Sequence, residues 1–196
     1  RDAVRTQWNA AARDRFLQAF AASYESRGEA DRFNTLVLAA GLDWHQVTVL
    51  RAVGRYLRQG GSTYSQTYMA QALAANVDLA RRLVELFETK FDPRRGLGTD
   101  ERAQQVEALA AGITGALDQV ASLDHDRIVR SYLAVLRAAV RTNYFAPDRQ
   151  ALAVKLLPRQ IPDLPEPRPQ FEIFVYSPRV EGVHLRFGSV ARGGLR

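Results

Sequence analysis

The residues best suited to chemistry lie near the carboxyl end of the sequence, where Arg192 and Arg196 flank the pair Gly193-Gly194. Two adjacent glycines lack β-carbons, so backbone amides at this position can approach a ligand closely. The flanking guanidinium groups can each bind a carboxylate through two parallel hydrogen bonds. The same spacing is also typical of an ordinary turn. The residues by themselves leave both interpretations open.

The three histidines, His45, His125 and His184, show no spacing that is typical of a metal site. None is paired with a second histidine or with two carboxylates at the spacing that metal ligands require. The sequence contains no cysteine, which excludes a disulfide and a thiolate nucleophile. We therefore predict no metal site in this chain.

Gly96 to Glu101 (GLGTDE) begins like a dinucleotide-binding fingerprint but lacks the third glycine. It also follows a predicted helix and a proline-containing loop, whereas the fingerprint follows a strand. We interpret it as a loop and helix cap rather than a cofactor site. Asp124, Asp126, Glu85 and Glu88 fall on polar helix faces or caps, and no two of them have the arrangement of a general acid and base. No catalytic residue is predicted.

The composition is that of an ordinary globular protein, with 46% hydrophobic and 24% charged residues among 196. No apolar run approaches the roughly 20 residues that span a bilayer, so no membrane partner is predicted. The net charge of +6 could indicate a nucleic-acid partner. The arginines, however, are spread along the chain without interleaved aromatic residues, so no nucleic-acid partner is predicted. Met69 is the only methionine, and both ends resemble interior sequence, which suggests a segment of a larger protein.

Apolar residues recur at helical spacing over most of the first 157 residues, which predicts a helical bundle. Helices are expected at 6–24, 31–40 and 43–60, with further helices downstream. The last of them is expected to open at Asp124 and to close at Pro147.

Several helix starts can be predicted from local chemistry. Asp43 with Gln46, and Thr63 with Gln66, have the spacing of a capping box, in which each side chain binds the other residue's backbone amide. Thr99 is expected to cap a further helix.

The pattern changes after residue 157. Five of the eight prolines fall between Pro158 and Pro169, which predicts an extended connector at 158–170. Alternating apolar residues then predict strands at 171–177 and 183–187, with a third near 190–192. So few strands make a marginal sheet, so we expect their partners to lie outside this chain. The predicted fold class is mainly α: a helical domain at 1–157, the connector, and a short β-hairpin within 171–196.

Two segments near the end, SPRVEGVHLR at 177–186 and VARGGLR at 190–196, closely resemble the opening of the catalytic domain of the large NAD-specific glutamate dehydrogenases of bacteria. The helical segments FNTLVLAAGL at 33–42 and YLRQ at 56–59 are also similar to that family. The resemblance therefore covers both halves of the chain.

The resemblance implies an enzyme that oxidises L-glutamate to 2-oxoglutarate and ammonia while reducing NAD, and that is cytoplasmic and homo-oligomeric. Residues 171–196 would be the first strands of the α/β catalytic domain, and NAD would be bound by a downstream domain. Arg192, Gly193 and Gly194 match the motif Lys-Gly-Gly-hydrophobic-Arg of small glutamate dehydrogenases. There the lysine helps to hold the side-chain carboxylate of the substrate, so the resemblance implies a substrate-binding role for these three residues.

By the same resemblance the helical part is structural or regulatory, and the chain alone is inactive. Apolar stripes that stay exposed on the helices would favour this role, because they would pack against the catalytic domain or between subunits. Two alternatives stay open at this stage. One is a free-standing basic helical module that binds protein or nucleic acid, and the other is a related dehydrogenase for a different amino acid.

Overall fold

The computed structural model describes residues 9–188, which form seven α-helices followed by a four-stranded antiparallel sheet. The helices are α1 (Ala10–Tyr24), α2 (Thr35–Ala39), α3 (Trp44–Gln59), α4 (Gln66–Ala75), α5 (Val77–Phe91), α6 (Thr99–Leu117) and α7 (Leu123–Ala138). The strands are β1 (Ala139–Thr142), β2 (Leu152–Leu156), β3 (Phe171–Tyr176) and β4 (Glu181–Arg186). The predicted mainly α fold with strands at the end is confirmed.

The start of α3 confirms the predicted capping box. The Asp43 carboxylate accepts a hydrogen bond from the Gln46 amide at 2.8 Å, and the Gln46 side chain accepts one from the Asp43 amide at 3.0 Å. The capping box at Thr63 is wrong. Helix α4 begins at Gln66, so Ser65 occupies the cap and accepts a hydrogen bond from the amide of Tyr68 at 3.1 Å.

Two other predicted starts are displaced by one or two residues. Thr99 is the first residue of α6, and Gly98 precedes it as the cap without a side-chain hydrogen bond. Helix α7 is capped by Ser122, which accepts a hydrogen bond from the amide of His125 at 3.3 Å. Asp124 therefore lies inside the first turn, where its charge complements the helix dipole.

The last helix ends earlier than the sequence predicts. It stops at Ala138 instead of continuing to Pro147, because Ala139 is extended and begins β1. Val140 continues the helical spacing of apolar residues, but the backbone around it pairs with β2, with Ala139 opposite Leu156. Tertiary pairing overrides the local helical pattern here.

The sheet has the order β1-β2-β3-β4. The expectation that the hairpin has no partner strands in this chain is therefore wrong, since β2 pairs with β3 along its whole length. In the hairpin, Phe171 lies opposite Arg186 and Tyr176 opposite Glu181. The third strand predicted near 190–192 lies outside the described residues.

Helices and sheet share one apolar core. The ring of Phe174 on β3 meets that of Tyr56 on α3 edge-on, with centroids 5.6 Å apart. Leu152 and Leu156 of β2 are buried beside Val135 of α7. The predicted domain boundaries at residues 157 and 170 lie between elements that share this core. The division into domains stays a prediction.

The proline-rich segment contains no long helix or strand, and it is held in a compact loop. The guanidinium of Arg168 donates to three carbonyl oxygens of the segment itself, those of Ile161 (2.9 Å), Pro162 (2.7 Å) and Leu164 (3.0 Å). The segment is therefore a loop that connects β2 to β3 and is stabilised by its own hydrogen bonds.

Candidate functional site

The predicted substrate-binding residues Arg192, Gly193 and Gly194 lie outside the described residues. The nearest described element is β4, which ends at Arg186. The geometry that can be examined is therefore that of the residues that hold the β3–β4 hairpin.

The histidines have ordinary structural surroundings. His45 stacks on Trp44 with ring centroids 3.6 Å apart, and burial together with the nearby positive charge of Arg149 lowers its pKa. His125 lies 3.2 Å from the side-chain amide of Asn76. Across residues 9–188, no three His, Cys, Asp or Glu side chains are grouped so that they could hold a metal ion.

The other candidate residues are also explained by structure. Gly96 has a positive φ of 64°, which ends the turn at Pro93–Arg95, and Gly98 precedes α6. The interpretation of this segment as a loop and helix cap is confirmed. Asp124 accepts a hydrogen bond from the hydroxyl of Tyr64 at 2.8 Å, and Asp126 forms an ion pair with Arg130 at 2.9 Å.

One arginine of α3 is buried in the core. Arg51 of α3 is only 1% exposed, and it binds both carboxylate oxygens of Asp31 at 2.8 Å and the side-chain oxygen of Asn34 at 2.7 Å. Burial alone would lower the pKa of Arg51, but the hydrogen bonds and charge of Asp31 raise it above its ordinary value. A buried charge is stable only when it is paired in this way.

Next to Arg51, four side chains connect the segment before α2 and helix α3 to the sheet; we call Glu29, Arg55, Tyr176 and Glu181 the junction cluster. One carboxylate oxygen of Glu29 accepts a hydrogen bond from the hydroxyl of Tyr176 at 2.7 Å, and the other accepts one from Arg55 at 2.6 Å. Arg55 also lies 3.9 Å from the carboxylate of Glu181. Both oxygens of Glu29 therefore have a partner, and those partners come from a helix and a strand.

A second connection lies one residue along α3. The hydroxyl of Tyr56 donates to the carboxylate of Glu172 on β3 at 2.5 Å. Burial, and then the charge and hydrogen bond of Glu172, raise the pKa of Tyr56. Burial likewise raises the pKa of Tyr176.

Beside Tyr56 and Glu172, a groove of about 350 Å³ separates the proline-rich segment from β4. Three partly exposed residues on β4 or directly after it line the groove, namely Val183 (39%), Leu185 (47%) and Phe187 (55%). Among the described strands β4 is at the edge of the sheet.

Two family models match the chain. Residues 28–93 match glutamate dehydrogenase, helical motif 3, and residues 112–196 match the catalytic domain of bacterial NAD-glutamate dehydrogenase. The NAD-specific glutamate dehydrogenase of Mycobacterium tuberculosis is 50% identical over 193 residues, which are 95% of this chain and 12% of that protein. The enzyme of the same name from Pseudomonas aeruginosa is 49% identical over 173 residues, or 86% of this chain and 11% of the relative.

The chain belongs to the bacterial NAD-specific glutamate dehydrogenase family. The Halomonas elongata glutamate dehydrogenase is 43% identical over 92% of this chain, and again only 11% of the relative is covered. The chain thus spans about an eighth of the length of these glutamate dehydrogenases. The comparisons give no support for a free-standing interaction module.

The junction cluster joins the two matched segments of the glutamate dehydrogenase family. Glu29 and Arg55 lie in the helical motif, whereas Tyr176 and Glu181 lie in the catalytic-domain match. Sequence reasoning did not identify these residues. The one available signal was Arg51, a charged residue within the apolar pattern of α3, since a buried arginine requires an acidic partner.

Proposed function

We propose that the protein containing this chain is an NAD-dependent glutamate dehydrogenase, converting L-glutamate, NAD and water to 2-oxoglutarate, ammonia and NADH. The observation that carries the proposal is the 50% identity, across 95% of the chain, to a protein named for this activity. Matches to a helical motif and to a catalytic domain of the same family support it. A cytoplasmic homo-oligomer forms part of the same proposal.

Within that enzyme we assign a structural or regulatory role to the helical part, and we expect the chain alone to be inactive. Hydride transfer requires substrate and cofactor to be held in contact, and we assign NAD binding to a part of the enzyme outside this chain. The exposed face of α1 supports the role of the helices, because large apolar side chains face solvent there: Phe16 (42%), Leu17 (51%), Phe20 (62%) and Tyr24 (83%). Apolar surface of this kind is typical of a face that packs against another part of an enzyme. Along residues 9–188, no helix is long and apolar enough to cross a membrane.

For the substrate, we propose that the Arg192 guanidinium binds the side-chain carboxylate of glutamate while Gly193 and Gly194 let the backbone approach it. Arginine keeps the charge of the lysine found at this place in small glutamate dehydrogenases. Its planar group can bind a carboxylate through two bonds at once.

The activity is tested by measuring glutamate-dependent reduction of NAD with the 196-residue chain and with the full-length enzyme side by side. We expect NADH formation by the full-length enzyme and none by the chain. L-aspartate, which is one methylene shorter, serves as the control substrate. A full-length enzyme that is folded but does not oxidise glutamate would overturn the proposal.

Replacing Arg192 by alanine in the full-length enzyme should raise the KM for glutamate by roughly 10- to 100-fold, because a charge-assisted hydrogen bond is lost. The KM for NAD should stay the same. Arg192→Lys keeps the charge and is the matched control, with a smaller expected increase. An unchanged glutamate KM in Arg192→Ala would show that this residue does not bind the substrate.

A further inference from the structure

We propose that Glu29, Tyr56 and Tyr176 position the substrate-binding segment by fixing the β3–β4 hairpin to the helical part of the enzyme. They are positioning residues and do not contact substrate. The inference rests on the proposed role of Arg192, which follows the end of β4 by six positions.

The two tyrosines hold β3 at both ends. Tyr56 binds Glu172 near the start of the strand, and Tyr176 at its last residue binds Glu29. Tyr176 follows Glu172 by four positions, which corresponds to about 13 Å along an extended strand. Two attachments at this separation oppose both sliding of the strand and rotation about a single contact.

The strand register carries this constraint from β3 to β4. Glu172 lies opposite Leu185, and Tyr176 lies opposite Glu181. Arg55 adds a direct charge contact to Glu181 at 3.9 Å. Every attached residue of β3 therefore has its partner in the strand that leads to Arg192.

The acceptor of the Tyr176 hydroxyl is itself held in place. The backbone oxygen of Glu29 accepts hydrogen bonds from the side-chain amide of Asn34 at 2.8 Å and from buried Arg51 at 3.4 Å. Its carboxylate is fixed on the other side by Arg55. The hairpin is thus attached to a residue of the helical region that is itself held by several hydrogen bonds.

Apolar packing and hydrogen bonding can be separated at these positions. The rings of Tyr56 and Tyr176 are buried in the core, and replacing tyrosine by phenylalanine keeps the ring and removes only the hydroxyl. Most of the buried area would be retained, so the fold should persist while the position of the hairpin is less tightly defined.

The test is the double variant Tyr56→Phe/Tyr176→Phe in the full-length enzyme. We expect the KM for glutamate to rise roughly 3- to 10-fold, in line with two hydroxyl bonds acting indirectly. The value of kcat and the KM for NAD should stay within about twofold. Tyr64→Phe is the matched control, because its hydroxyl binds Asp124 on α7 and has no contact with the hairpin.

Hydrogen exchange of the 196-residue chain gives a readout that does not depend on activity. Amides of residues 181–186 should exchange faster in the double variant than in the wild type or in Tyr64→Phe, and amides of α5 should be unaffected. If the double variant does not fold, Tyr176→Phe alone is measured in the same way, with a smaller increase expected.

An unchanged glutamate KM, or an equal change in Tyr64→Phe, would overturn the inference. So would unchanged exchange at residues 181–186. These outcomes differ from failure of the proposed function, in which the wild-type full-length enzyme itself does not oxidise glutamate.

Discussion

Helices α1 and α3 have nearly the same length, 15 and 16 residues, but they use their large side chains in opposite ways. Nine residues of α3 are buried, including Arg51 and Tyr56. In α1 only three alanines are buried, while the aromatic residues Phe16 and Phe20 are 42% and 62% exposed.

The difference shows that α3, and not α1, contributes most to the buried contacts of the chain. Alanines allow α1 to approach its neighbours closely, but they bury little apolar area. Helix α3 is surrounded by other elements, and its polar residues bind both the segment before α2 and the sheet. The stability of this chain should therefore depend strongly on side chains of α3 and weakly on the aromatic residues of α1.

The largest expected effect is that of Arg51→Met, which removes the guanidinium from the largely buried Asp31 carboxylate and leaves it the backbone amide of Phe33 as a hydrogen-bond donor. Such a loss should lower the free energy of unfolding by about 3–5 kcal/mol, as measured by urea denaturation of the chain. Arg51→Lys should restore only part of it, because a lysine cannot bind both oxygens in the same geometry. Arg130→Met removes an ion pair whose arginine is 47% exposed, in contrast to the buried Arg51, and serves as the control, with a change below about 0.5 kcal/mol. A loss under about 1 kcal/mol in Arg51→Met would contradict the central role of this site.

A moderate effect is expected for Gly54→Ala in α3. An added β-carbon would lie 2.6 Å from the hydroxyl of Tyr132 and 3.0 Å from the side-chain oxygen of Gln66, so the packing must shift. Overpacking of this kind costs about 1–3 kcal/mol. Gly112→Ala in α6 is the matched control, because its β-carbon has ample space, and it should stabilise by about 0.5–1 kcal/mol. Thermal unfolding shows whether each variant is stabilised or destabilised. A change of stability in the same direction in both variants would contradict the interpretation.

The smallest effect should be that of Phe20→Ala in α1. Its ring is 62% exposed, so the free energy of unfolding of the chain should change by less than about 0.5 kcal/mol. Phe87→Ala in α5 makes the same chemical change at a residue that is 1% exposed, and it should cost about 3–5 kcal/mol. If the two variants lost similar stability, the contrast between the exposed aromatic residues of α1 and the buried residues of the core would not hold.

The sequence predicted those parts of the fold that depend on local spacing. Helical periodicity located α1 and α3, the predicted capping box at Asp43 is present, and alternating residues located the β3–β4 hairpin. Strand β1 was missed because Val140 continues the helical spacing, and only pairing with β2 makes this segment extended. Strand β2 was missed because Leu152–Leu156 was included in the helical domain that was predicted to end at residue 157.

The junction cluster could not be predicted for a related reason. Its members are separated by long stretches of chain, and an exposed glutamate and a partnered one look alike in sequence. The substrate-binding residues 192–194 were assigned by resemblance and remain a prediction, since they lie outside the described residues.

The hydrogen bond between Glu29 and Tyr176 joins residues that are 147 positions apart. During synthesis the helices leave the ribosome first, and local contacts let them form early. The hairpin emerges later and closes this long loop, and the entropic cost of closure increases with loop length. Docking of β3 onto α3 should accordingly be a late folding event, completed on a helical surface where Glu29 and Arg55 are already paired.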